Sequence, residues 1–171
     1  MLPETWENAR QVLAIQVGSQ QDLILTIPAL QKLRYLFSDA VITLMVSPSA
    51  KQLGSHKRWI DDVLVYEGGE SKFKNNECEL AFISKLRQYA FDVCVIFTNP
   101  GESPYTLAYI CYLAGIPIRI GQSQEFGGSV LSHCVKPIRT QGDTDSIFDI
   151  STSDLYDPIG YHLFLLESAF K

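Results

Sequence analysis

Short apolar runs alternate with helix-period segments along this chain, and that alternation leaves few folds open. Residues 11–17 (QVLAIQV), 41–46 (VITLMV), 62–66 (DVLVY) and 92–97 (DVCVIF) have strand length and are rich in β-branched and other apolar residues. Between the first two, Leu23, Ile27, Leu30, Leu33 and Phe37 recur at three- and four-residue spacing, which predicts a helix over 22–37 with one apolar stripe. Pro28 falls in its first two turns and removes one backbone donor. A short helix is predicted over 48–54. A longer one is predicted over 77–89, turning Leu80, Ile83 and Leu86 inward. Ser103 and Pro104 read as the cap and first position of a helix that stops at Gly115. Residues 116–120 and 133–135 read as extended, and 159–170 as a closing helix. Strands alternating with helices specify an α/β fold, a Rossmann-like parallel sheet with helices on both faces. The 92–97 run is apolar after its first residue and is placed centrally. The aspartate-rich stretch 139–157 reads as a surface connection, and 68–76 as a polar loop.

Charge and cysteine usage narrow the function classes. The net charge of -5 disfavours general nucleic-acid binding, because phosphates attract a basic surface. No apolar run approaches the ~20 residues of a membrane span, and residues 1–10 do not read as a signal peptide. The four cysteines are far apart with no C-x-x-C pair, so neither a zinc site nor a redox motif is expected. Cys94 and Cys111 sit in apolar runs and read as buried thiols, which points to a reducing cytoplasm.

In an open parallel sheet, ligands bind beyond the carboxyl ends of the strands where the strand order reverses, between the first and fourth strands here. Those ends carry Gly18, Ser19, Gln20, Gln21 and Asp22 on one side, and Asn99 and Ser103 on the other. Neither loop holds a G-x-G-x-x-G, a G-x-x-x-x-G-K-[ST] or a G-x-S-x-G, so dinucleotide, P-loop and α/β-hydrolase readings fail. Asp22 reads either as a general base for a sugar hydroxyl or as a helix N-cap carboxylate. Lys51, His56, Lys57 and Arg58 form a basic cluster that either draws an anionic acceptor or is a solvated helix end. Arg119 reads either as a bidentate grip for phosphate or carboxylate, or as half of a structural ion pair.

The stretch 16–37 (QVGSQQDLILTIPALQKLRYLF) is similar to the first motif of glycosyltransferase family 9, the ADP-heptose:lipopolysaccharide heptosyltransferases. DAVITLMV (39–46), WIDDVLVY (59–66), residues 89–97 and LAGIPIRIG (113–121) resemble later motifs of that family in order and spacing. His162 with Leu163, Leu165 and Leu166 resembles the helix closing its first domain. The resemblance covers nearly the whole chain. It implies that residues 1–171 are the N-terminal, acceptor-side domain of a GT-B enzyme, without the donor-binding domain. The implied reaction is an inverting, metal-independent transfer from an ADP-heptose-like co-substrate to a glycan or glycolipid acceptor, with Asp22 catalytic and no resident cofactor. A lipid-linked acceptor would bring the protein to the inner face of the membrane. Gln21 stands where the family usually has glycine, and glutamine resists the dihedrals that glycine permits, which leaves the loop geometry and activity open and implies a diverged or inactive member as an alternative. A non-catalytic sugar- or glycolipid-binding module, or an inactive truncated homologue, is the alternative.

Overall fold

The computed structural model describes residues 6, 8–55, 58–68, 76–137 and 157–170. Its strands are β1 (Gln11–Gln16), β2 (Val41–Val46), β3 (Asp62–Val65), β4 (Val93–Ile96), β5 (Ile118–Gln122) and β6 (His133–Val135). Its helices are α1 (Gln20–Leu36), the single turn α2 (Lys51–Gly54), α3 (Asn76–Tyr89), α4 (Tyr105–Leu113) and α5 (Pro158–Ala169). A 3₁₀ turn at Pro48–Ala50 leads into α2. The connections expected over 68–76 and 139–157 lie almost wholly outside the described residues.

All six strands are parallel, in the order β3-β2-β1-β4-β5-β6. Side chains alternate across the sheet and build two cores. Val12, Ala14, Val93 and Val95 meet Leu30 and Leu33 of α1 and Leu165 and Leu166 of α5. Leu13, Ile15, Cys94 and Ile96 meet Ile83 and Leu86 of α3 and Ile110 and Cys111 of α4. Strand β4 is therefore buried on both faces, as its unbroken apolar run predicts.

Three details depart from the sequence-based expectations. Helix α1 starts at Gln20, two residues early, so Pro28 sits in its third turn; the helix nevertheless continues to Leu36. Ile24, whose carbonyl loses a partner to Pro28, lies on the half-exposed face, where water can replace the missing donor. Leu80 is 63% exposed while Ile83 and Leu86 are buried. Three-residue steps fall short of a turn, so Leu80 has drifted ~120° from Leu86 around the helix. Finally, Pro104 is the cap residue of α4 rather than its first residue. The Ser103 hydroxyl still accepts the Tyr105 amide, at 3.4 Å.

Candidate functional site

The order in which strands are added reverses between the neighbouring parallel strands β1 and β4, and the loops leaving both lie at the same end of the sheet. Gln16 ends β1 with a buried side chain. Its Oε1 accepts the Gly18 amide at 2.9 Å, and its Nε2 donates to Thr26 Oγ1 at 3.2 Å. The Ser47 hydroxyl donates to the Gly18 carbonyl at 2.7 Å, and Gln20 Nε2 donates to the Ser49 carbonyl at 2.6 Å. The loop after β1 is thus tied to the loop after β2. Position 18 is close-packed: a Cβ there would stand 2.6 Å from Asp22 Oδ2 and 2.9 Å from Gln16 Oε1, so any larger residue would displace one of these side-chain ends.

Ser19, not Asp22, is the N-cap of α1. Asp22 occupies the third helical position of a capping box. Its Oδ2 accepts both the Ser19 amide and the Ser19 hydroxyl at 2.7 Å, so both of those bonds fall on one carboxylate oxygen. Burial pushes the Asp22 carboxyl up, but bonds from Ser19, the Asn99 side chain and the nearby His162 outweigh it, and the net shift is below the usual carboxylate range. Gln21 lies in the first helical turn, where glutamine is at ease, and Ala90 is the one non-glycine residue with positive φ among the described residues. Glutamine at that place sits in regular helical backbone.

Across the crevice, the Asn99 amide and side chain donate to Glu102 at 3.0 and 3.3 Å, around a turn that Gly101 permits with φ 88°. Asn99 Oδ1 is buried without a hydrogen-bond partner. Ser103 donates to Glu125 Oε2 at 2.6 Å, bringing a second carboxylate toward this end of the sheet.

Of the basic cluster, Lys51 and Arg58 are among the described residues. Lys51 lines a depression with Gly54, Ser55, Ile60, Asp61, Asp62 and Val63, on the β2–β3 side. Two carboxylates beside one ammonium disfavour an anion there. Arg58 is exposed, while His56 and Lys57 lie outside the described residues. Arg119 fits neither of its expected roles. It is 8% exposed, and its guanidinium donates to the carbonyls of Val130 (2.6 Å), Pro117 (3.0 Å), Ser129 (3.3 Å) and Ile116, while lying 5.2 Å from the Tyr112 ring centroid. It clamps the loop before β6 onto the start of β5, and every guanidinium nitrogen is spent on backbone.

Sequence reading passed over His162 as a site residue. The ring is fully buried, with Nδ1 3.2 Å from Thr26 Oγ1 and Nε2 3.1 Å from the Thr98 carbonyl. Burial pushes its pKa below 6.5, although the Thr98 carbonyl and the carboxylates of Asp22, Asp157 and Glu102 pull the other way. An unfolded chain takes up this proton near pH 6.5, whereas the folded ring resists it. The His162 contribution to stability is therefore complete above about pH 6.5 and lost as pH falls through the lower folded value. His133 is also depressed, by burial and then by Arg119, and acts in the same sense. The thermal midpoint is expected to drop between pH 7 and pH 5, and His162→Gln to flatten that slope. An identical slope in the variant counts against the buried neutral ring.

Among the described residues, no group of three or more His, Cys, Asp or Glu is placed to hold a metal ion, and no helix is long and apolar enough to cross a membrane. No family model and no curated protein sequence matches the chain. Solved structures do. The chain is similar to E. coli ADP-heptose lps heptosyltransferase II (20% identity, 72% of this chain and 34% of that one, TM-score 0.58). It is similar to a family 9 glycosyl transferase from Veillonella parvula (16%, 94% and 41%, TM-score 0.61). It is also similar to E. coli heptosyltransferase WaaC with ADP-2-deoxy-2-fluoro heptose (13%, 93% and 48%, TM-score 0.63). The chain spans less than half the length of each. Its six-stranded parallel sheet, with helices on both faces, is thus a fold it shares with heptosyltransferases and a family 9 glycosyl transferase.

Proposed function

We propose that this chain is the acceptor-side part of an inverting, metal-independent glycosyltransferase of heptosyltransferase type, with Asp22 as the base. One observation carries the reading: a carboxylate stands at the switch point of a fold shared with heptosyltransferases. In the proposed reaction Asp22 takes the proton of an acceptor hydroxyl as that oxygen bonds to the anomeric carbon. The bond from that carbon to the nucleoside diphosphate breaks on the opposite side, and the diphosphate leaves with the electron pair. Asp22 stays ionised through neutral pH and is a weak base, so proton transfer comes late, as the attacking oxygen loses electron density. An ADP-heptose-like donor would be bound by another domain. The protein would work in the cytoplasm and meet a lipid-linked acceptor at the membrane's inner face.

The capping box favours a second reading, in which Asp22 only secures α1 within a non-catalytic glycan-binding module. Backbone NMR of this chain tests the acceptor assignment that both readings share. A lipopolysaccharide core oligosaccharide is expected to shift the amides of residues 18–22 and 98–103, and ADP-heptose to leave them unmoved. Shifts with ADP-heptose alone would reverse the assignment. The base role is separated by the Asp22 substitution taken up in the Discussion.

A further inference from the structure

We propose that His162 is a positioning residue for Asp22: its imidazole ties α5 to the first turns of α1 and to the mouth of β4, and so fixes where the carboxylate stands. The proposal rests on the reading of Asp22 as the reactive carboxylate.

The argument begins with protons. The Thr98 carbonyl can only accept, so His162 Nε2 carries a hydrogen and donates to it at 3.1 Å. In the neutral ring Nδ1 is then a bare acceptor, 3.2 Å from Thr26 Oγ1. The one hydrogen of that hydroxyl is shared between Nδ1 and the Asp22 carbonyl, 2.8 Å away, while its oxygen accepts from Gln16 Nε2. Thr26 is therefore a junction. One residue joins the imidazole of α5, the amide that ends β1 and the backbone of the candidate base. Thr26 and His162 are both fully buried, so no water competes for these bonds.

The second half of the ring's grip lies at β4. Thr98 immediately precedes Asn99, whose side chain reaches the Asp22 carboxylate. The His162 ring is also held edge-on by Phe97, with centroids 5.4 Å apart. A buried ring with both nitrogens engaged and one face packed has little freedom to rotate. The charged groups near it are Asp22 on α1, Asp157 at the start of α5 and Glu102 after β4. All three are acidic, so no neighbouring cation competes for the ring. Residues 26 and 162 are distant in sequence, and the junction exists only once α1 and α5 pack side by side.

The test uses this chain with two substitutions. His162→Gln keeps a donor for Thr98 and loses the Thr26 contact, while Thr26→Val removes one hydroxyl at nearly constant shape. The readouts are the ¹³C titration of the Asp22 carboxyl and the hydrogen exchange of the first-turn amides of α1. Both variants are expected to move the Asp22 midpoint and to speed exchange at residues 22–24 by about tenfold or more. A folded Thr26→Val chain with an unchanged Asp22 midpoint and unchanged exchange overturns the proposal, even if His162→Gln fails to fold. In a polypeptide that transfers sugar, the same variants are expected to lower kcat by about 10–100-fold with little change in KM, as misplacing a catalytic group does. If Asp22→Asn leaves transfer intact while both variants still move the Asp22 midpoint, the base reading fails and the positioning role stands.

Discussion

Asp22→Asn is expected to lower sugar transfer by about 10²–10⁴-fold in a polypeptide that joins this chain to a donor-binding domain, with KM for the acceptor nearly unchanged. The range is what a positioned general base contributes. The substitution is clean because the capping box survives it. An asparagine Oδ1 can still accept the Ser19 amide and hydroxyl that Oδ2 accepts now, so helix α1 keeps its start. The negative charge at the helix N-terminus is lost, worth about 0.3–1 kcal/mol, together with the bond from the Asn99 side chain. Activity and folding therefore separate: the rate collapses while the thermal midpoint of the chain hardly moves. The pH profile offers a second check. Because Asp22 lies below the usual carboxylate range, its protonation should not limit the rate between pH 6 and pH 8. A variant with full kcat returns Asp22 to a purely structural role and leaves the glycan-binding module as the better reading.

Arg119→Leu is expected to produce the largest loss of stability from a single polar substitution outside the crevice. The guanidinium donates to four carbonyls at the start of β5 and in the loop before β6, and leucine leaves all of them without that partner. Bonds from a charged donor contribute about 1.5–3 kcal/mol each, but Ser129 lies on the exposed side, where water replaces the donor. A net loss of about 2–4 kcal/mol follows, or a thermal midpoint lower by roughly 5–15 °C for a chain of this size. Arg119→Lys should recover only part of it, because one ammonium cannot span the positions that the planar fork reaches. A loss under about 1 kcal/mol in chemical denaturation would place Arg119 among ordinary surface residues.

These two residues mark how far the sequence could be read. Strands declare themselves through local composition, so β1, β2, β3 and β4 stand within a residue or two of their predicted places. The switch point follows from their order, which is why the Asp22 and Asn99 loops were legible as the crevice. Side-chain partnerships were not legible where they depend on packing. Arg119 meets carbonyls 2–11 residues away only because a loop folds back over it. His162 meets Thr26 across 136 residues, with no local pattern to announce it. Lys51 is a related case. Composition gathers Lys51 and Arg58 along the chain, but the turn at α2 sets Lys51 beside Asp61 and Asp62. Gln21 shows the reverse case, since its backbone is set by the helix that starts one residue before it.

The order of strands in space also has a consequence for how the protein is made. Strands β1, β2 and β3 leave the ribosome first, yet β1 has its second neighbour in β4, some thirty residues later. At roughly 5–20 residues per second, the nascent half-sheet spends a few seconds with β1 as a bare apolar rim. During that interval another emerging copy offers the same rim, and pairing between copies competes with completion of the chain. Slower synthesis across residues 66–92 should therefore increase misassembly, although nothing in the finished fold would change.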